Sequence, residues 1–145
     1  MMRCTRCAVF SLAALLAVLP GPAAAQELSE FTQWLTLAWA RGDAAGIASL
    51  IAESGVSINV EGKPVGPLGT RHAAAALRRL FSDLETVGVT LASKKPQPGD
   101  PTRAYLELVW ARRARGTTIP RRGAVFIAIV QQDDGWRITD IRVLP

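Results

Sequence analysis

The chain has 145 residues, 49% of them hydrophobic, with 17 basic against 12 acidic residues and a net charge of +5. Two of the arginines fall within the first six residues; without them 15 basic residues face 12 acidic ones, a balance of +3. So small a surplus implies neither a nucleic-acid nor a membrane-surface partner, and the length suits one domain with one core.

Arg3 and Arg6 precede the apolar run "AVFSLAALLAVLP" (8–20), and "GPAAA" sets Ala23 and Ala25 at the small-residue positions of an A-x-A cleavage site. This is the pattern of a secretory leader over residues 1–25, with Gln26 as the new N-terminus and a periplasmic or secreted destination. The run falls short of the roughly 20 apolar residues of a membrane span, so no membrane partner is expected once the leader is gone. Cys4 and Cys7 have the C-x-x-C spacing of redox or zinc motifs, but both lie in the leader. A processed chain over 26–145 then has no cysteine, which excludes a disulfide and a thiolate nucleophile.

In "ELSEFTQWLTLAWARGD", Leu28, Phe31, Trp34, Leu35 and Ala38 recur at helical steps, and Gly42 stops the helix. Trp39 falls off that stripe, toward a pocket mouth or an interface. Asp43 caps a shorter helix, "AAGIASLIAES". "VSINVEGK" alternates Val56, Ile58 and Val60 with polar residues, as a half-buried strand does. "GKPVGPLG" (62–69), with its glycines and prolines, predicts irregular chain. Thr70 then caps a helix to Asp83 whose stripe is Ala73, Ala76, Leu77, Leu80 and Phe81. Four strands follow: "TVGVTLAS" (86–93), "RAYLELVWARR" (103–113), "GAVFIAIVQQ" (123–132), apolar enough to be covered on both faces, and "WRITDIRVL", joined to it by the "DDG" turn. "KKPQPGDP" between the first two predicts a loop. The order predicts an α+β domain: three N-terminal helices on one face of a curved, mostly antiparallel sheet of about five strands.

That order, with "GDAAGIASLIAESGVSINVEG", "GTRHAAAALRRLF" and the final "DDGWRITDIRV", resembles the nuclear transport factor 2-like superfamily, the cystatin-like cone fold, over essentially all of residues 27 to 143. It is also similar to small secreted bacterial members of unassigned activity. The resemblance implies a cone-shaped domain, often homodimeric through the outer sheet face. It includes isomerases, hydrolases, dehydratases, cyclases and non-enzymatic binding domains, and fold does not choose among them. Its enzymes work inside the cone, with a carboxylate or histidine base in an apolar pocket.

Few residues of this chain suit such a role. Most acids sit in turns or near helix ends. Asp140 shares strand parity with Trp136 and Ile138 and is the acid expected to face inward; Glu107 is expected outside, paired with Arg137 or Arg142. His72, the single histidine, stands in the first turn of a helix, off its apolar stripe. Asp140 and His72 are therefore the weak catalytic candidates, and no acid–base pair is evident. Trp34, Trp39 and Trp110, with Asp140, are the candidates to contact a ligand, although tryptophans more often fill cores. "ARRARGTTIPRRG" carries Arg112, Arg113, Arg121 and Arg122 on the two arms of a hairpin, where guanidinium groups could fork an anion or simply be solvated. One histidine and no paired acids predict no metal, and the glycines form no phosphate loop, so no cofactor is expected.

The expected function is binding of a small apolar ligand or a partner, without a catalytic site. The alternatives are an isomerase or hydrolase using Asp140 or His72, and a homodimeric interaction module. The interior of the cone decides between them: a buried carboxylate there speaks for the enzyme, and an interior filled by Trp and Leu leaves the module.

Overall fold

The computed structural model describes residues 22–145. The predicted leader cysteines, and the leader up to residue 21, lie outside the described residues.

Helix α1 (Pro22–Arg41) buries Leu28, Thr32, Leu35, Ala38 and Trp39. Thr32 is tolerated there because its hydroxyl donates to the Leu28 carbonyl (2.6 Å). The helix begins upstream of the expected cleavage point after Ala25, but its buried face starts at Leu28, so cleavage would spare every core contact. Gly42, at φ +66°, ends the helix. Its N–H donates to the Trp39 carbonyl (3.1 Å) and that of Asp43 to the Ala38 carbonyl (2.9 Å), the paired bonds of a left-handed C-terminal cap. Asp43 then caps α2 (Ala44–Ser49), its Oδ1 accepting from the Gly46 N–H (2.9 Å). This helix is shorter than predicted: Ile51 leaves it to form a parallel bridge with Ile138.

Strand β1 (Val56–Val60) turns through Glu61 and Gly62, both at positive φ, into β2 (Lys63–Leu68), its antiparallel partner. The prediction of irregular chain over 62–69 is therefore corrected, and the sheet has six strands rather than five. Pro64 and Pro67 are admitted because β2 lies at the edge of the sheet, where an absent N–H faces no further strand. Helix α3 (Thr70–Asp83) buries Ala73, Ala74, Leu77, Leu80 and Phe81. The expected cap is also corrected: Gly69 holds the N-cap position, and Thr70 is already helical.

The remaining strands are β3 (Leu84–Gln97), β4 (Asp100–Ala114), β5 (Arg121–Gln132) and β6 (Gly135–Val143). Strands β3 and β4 absorb most of the predicted 94–101 loop and leave only a tight turn at Pro98–Gly99. The order across the sheet is β2-β1-β6-β5-β4-β3, antiparallel throughout except where β1 meets β6. The helices cover one face. Strand β5 is apolar on both faces but covered on one: Val125, Ile127 and Ile129 are buried, while Phe126 on the other side is 38% exposed.

Between sheet and helices, Trp39, Phe81 and Trp110 meet edge to face, with ring centroids 5.3, 5.6 and 6.1 Å apart. Such T-shaped contacts match ring edges to ring faces and pack the space between α1, α3 and β4.

Candidate functional site

The structure separates the two catalytic candidates from the cone interior. His72 is exposed on α3. Asp140 is turned outward by a bulge in β6: Ala128 of β5 pairs with Asp140, but Ile129 pairs with Ile138, so Thr139 is an extra residue. Beyond the bulge Ile141 and Val143 are buried, and Asp140 accepts from Arg142 Nε (2.9 Å). The expected inward Asp140 is thereby corrected. So is the partner of Glu107, which accepts from the Ser93 hydroxyl (3.3 Å), while Arg137 binds Asp134 and Arg142 binds Asp140.

The tryptophans exchange their expected places. Trp34 lies 42% exposed on the solvent side of α1, and Trp39 is fully buried beside Trp110. Trp39 and Trp110 are packed core residues, and Trp34 is on the helix surface. Among the described residues no three His, Cys, Asp or Glu side chains come together.

The arginines of the β4–β5 hairpin have four different environments. Arg113 points to the outer face, where its Nε and Nη2 bond both oxygens of Glu85 (2.8 and 2.9 Å). Arg115 donates to the Ser82 and Phe81 carbonyls at the end of α3, where cations oppose the helix dipole. Arg121 stands opposite Arg112 in the register and is exposed, as is Arg122; neither has an ion-pair partner among the described residues.

Arg112 is buried, at 5% exposure. It continues the inward row Leu106, Leu108, Trp110, and its guanidinium carbon lies 4.9 Å from the Trp110 ring centroid. Nη2 donates to the Leu144 carbonyl (3.2 Å) and stands 3.6 Å from Glu61 Oε1, while Nη1 has no partner among the described residues. Gly123 makes room for it: a Cβ there would overlap Nη1 and the Leu144 carbonyl.

Arg112, Arg113, Arg121 and Arg122 all border one cleft of about 690 Å³ at this end of the sheet, with Leu84 and Ile119 among its apolar walls. Glu61 is the acidic side chain at its rim. Sequence reasoning missed Glu61 and Gly123, whose roles depend on the β1–β2 turn and the approach of residue 144. Arg112 was within reach, since strand alternation carried two residues past Trp110 turns it inward.

Electrostatics around the cleft give one pH effect. The Arg113 guanidinium holds the Glu85 carboxyl below its ordinary value of 4.5, first through the side-chain hydrogen bonds, and Glu85 raises Arg113 in return. With the folded value depressed, the folded state binds fewer protons than the unfolded chain in this range. The contribution is present above pH 4.5 and is lost as the pH falls through the folded value. Both side chains are over a third exposed, at 38% and 44%, so water screens the pair and the effect is modest. The denaturation midpoint of Glu85→Gln should therefore fall less than that of the wild type as the pH drops from about 6 to about 3. Parallel acid limbs would assign no role to the pair.

No family model matches the chain, and no curated protein does. Solved structures do. A DUF4783 family protein from Bacteroides ovatus superposes with a TM-score of 0.63 at 14% identity, over 75% of this chain and 89% of that one. A domain of unknown function with a cystatin-like fold from Nostoc punctiforme gives 0.64 at 17%, over 86% and 78%. An NTF-2 like protein of unknown function from Shewanella oneidensis gives 0.61 at 17%, over 83% and 98%.

The fold is the nuclear transport factor 2-like cone.

At such identities the likeness carries architecture and no chemistry. In this cone Trp39, Phe81 and Trp110 pack between helices and sheet. A smaller cleft of about 340 Å³, with Ile58, Val60, Leu77 and Leu80 in its walls, lies between α3 and the β1–β2 edge. The charged cleft opens at the rim, where the β4–β5 hairpin, the β1–β2 turn and the end of β6 meet.

Proposed function

We propose that this cone-fold domain is an exported binding protein, and that its ligand is a small anion held in the arginine cleft. The observation that carries the reading is Arg112: a buried guanidinium over Trp110 whose one acidic neighbour among the described residues, Glu61, is exposed and 3.6 Å away, beside Arg121 and Arg122, which have no ion-pair partner among the described residues. Buried charges are costly unless paired, and a cleft that keeps one underpaired gains by taking an anion. The packed Trp39, Phe81 and Trp110 rings argue against a ligand between α1 and β4, and the outward Asp140 and exposed His72 argue against acid–base catalysis inside the cone. The leader pattern supports export.

The experiment is an amide chemical-shift titration with benzoate, using neutral benzamide as the control. Benzoate should move the signals of residues 111–122, and benzamide should leave them in place. Equal shifts with both compounds, or none with benzoate, would remove the anion reading.

A second reading concerns the outer sheet face. Val109, Ala111, Ala124 and Ala128 are only half-buried there, around Phe126 and the 50% exposed Tyr105. This apolar stripe, flanked by Glu107 and the Asp140–Arg142 pair, supports a symmetric homodimer. Sedimentation should find a wild-type dimer and a Phe126→Arg monomer; a wild-type monomer would end this reading.

A further inference from the structure

The β1–β2 turn delivers a single acid to the arginine cleft. Glu61 sits at φ +50°, and its N–H donates to the Val143 carbonyl (2.9 Å), so its backbone is tied to the end of β6. Its Oε1 approaches Arg112 Nη2 only to 3.6 Å, longer than a hydrogen bond, and its side chain is 56% exposed. It is the only acidic side chain bordering the cleft among the described residues.

We propose that Glu61 is a built-in competitor: its carboxylate stands in for the carboxylate of a ligand, which displaces it on binding. The ligand is a small carboxylate with an apolar body. This inference rests on the reading of the cleft as an anion site. Three observations lead to it. Trp110 covers one face of the Arg112 guanidinium, Nη1 is buried against Gly123, and Nη2 gives one hydrogen to Leu144 and faces Glu61, so the edge on the Glu61 side is the one an incoming carboxylate would meet. Leu84 and Ile119 wall the same cleft, and a bare phosphate would leave that apolar surface unused. The resident acid, long in its contact and open to water, is held weakly and gives way at small cost.

A tethered competitor lowers apparent affinity by the fraction of molecules in which it is out of the way. For an exposed pair of this kind, removing it should tighten ligand binding about fivefold. The test titrates benzoate into the wild type, Glu61→Gln and Glu61→Gly, with benzamide and inorganic phosphate alongside. Glycine suits the positive φ, so the second variant guards against any distortion of the turn by the first. The expected result is benzoate binding about fivefold tighter in both variants than in the wild type, with benzamide silent and phosphate weaker than benzoate. Benzoate bound equally by all three proteins overturns the competitor role and leaves the anion cleft standing. Phosphate bound as well as benzoate overturns the carboxylate class. Silence from every protein overturns the cleft reading and this inference together.

Discussion

Trp39→Ala should lower the unfolding free energy by about 3–5 kcal/mol, whereas Trp34→Ala should change it by about 0.5 kcal/mol or less. The two residues lie five apart on one helix and have the same side chain, so their comparison isolates environment. Trp39 is fully buried and touches Phe81 and Trp110 edge to face. Removing it opens a hole between α1, α3 and β4. Part of the loss is offset because the Trp39 indole N–H is buried without a hydrogen-bond partner among the described residues, and alanine removes that unsatisfied group. Trp34, at 42% exposure, surrenders little. Urea denaturation of both variants checks this, read from the midpoint and the slope together. Equal losses would mean that the helix is rotated from the orientation described.

Arg112→Met should abolish benzoate binding, weakening it by more than about tenfold, while leaving the domain as stable as before or slightly more so. The two halves come from one geometry. The guanidinium is the charge at the floor of the cleft, and its desolvation is poorly repaid by a carbonyl and a distant carboxylate. Methionine fills much of the same volume against Trp110 and asks for no partner. Arg112→Lys should fail to restore binding, because an ammonium cannot present two parallel donors to a carboxylate. Parallel titration and denaturation check both halves. Retained binding in Arg112→Met would move the site to Arg121 and Arg122, and a large stability loss would make Arg112 a structural residue first.

Much of the architecture was legible because it rests on periodicity and turn chemistry. The three helices, the cap at Asp43, the stop at Gly42 and the Asp-Asp-Gly hairpin all follow from local rules. Errors arose where a local rule met a neighbour. On a helix turning 100° per residue, Trp39 lies about 40° from Leu35 and Trp34 about 100° from it, so the apolar stripe could have been drawn correctly. The β6 bulge could not: an inserted residue leaves no mark in an alternating pattern until the register of β5 is known, and it reverses Asp140. Strand β2 was hidden by prolines that are forbidden only where a second strand would need their N–H. Half of the candidate site was visible as an arginine cluster. The other half, Glu61 and Gly123, depends on residues far apart in sequence meeting at one end of the sheet.

An open sheet is a template with two ends, and here both refuse another strand. At β2 the prolines remove donors from the exposed rim. At β3 the register shifts between Thr86 and Gly88 and between Leu91 and Ser93, and Lys94, Lys95 and Pro96 close the strand. An added chain would meet missing donors at one end, and a bent, positively charged rim at the other. Self-association of this protein should therefore stop at small closed assemblies built through faces, and crowding should not draw it into fibres.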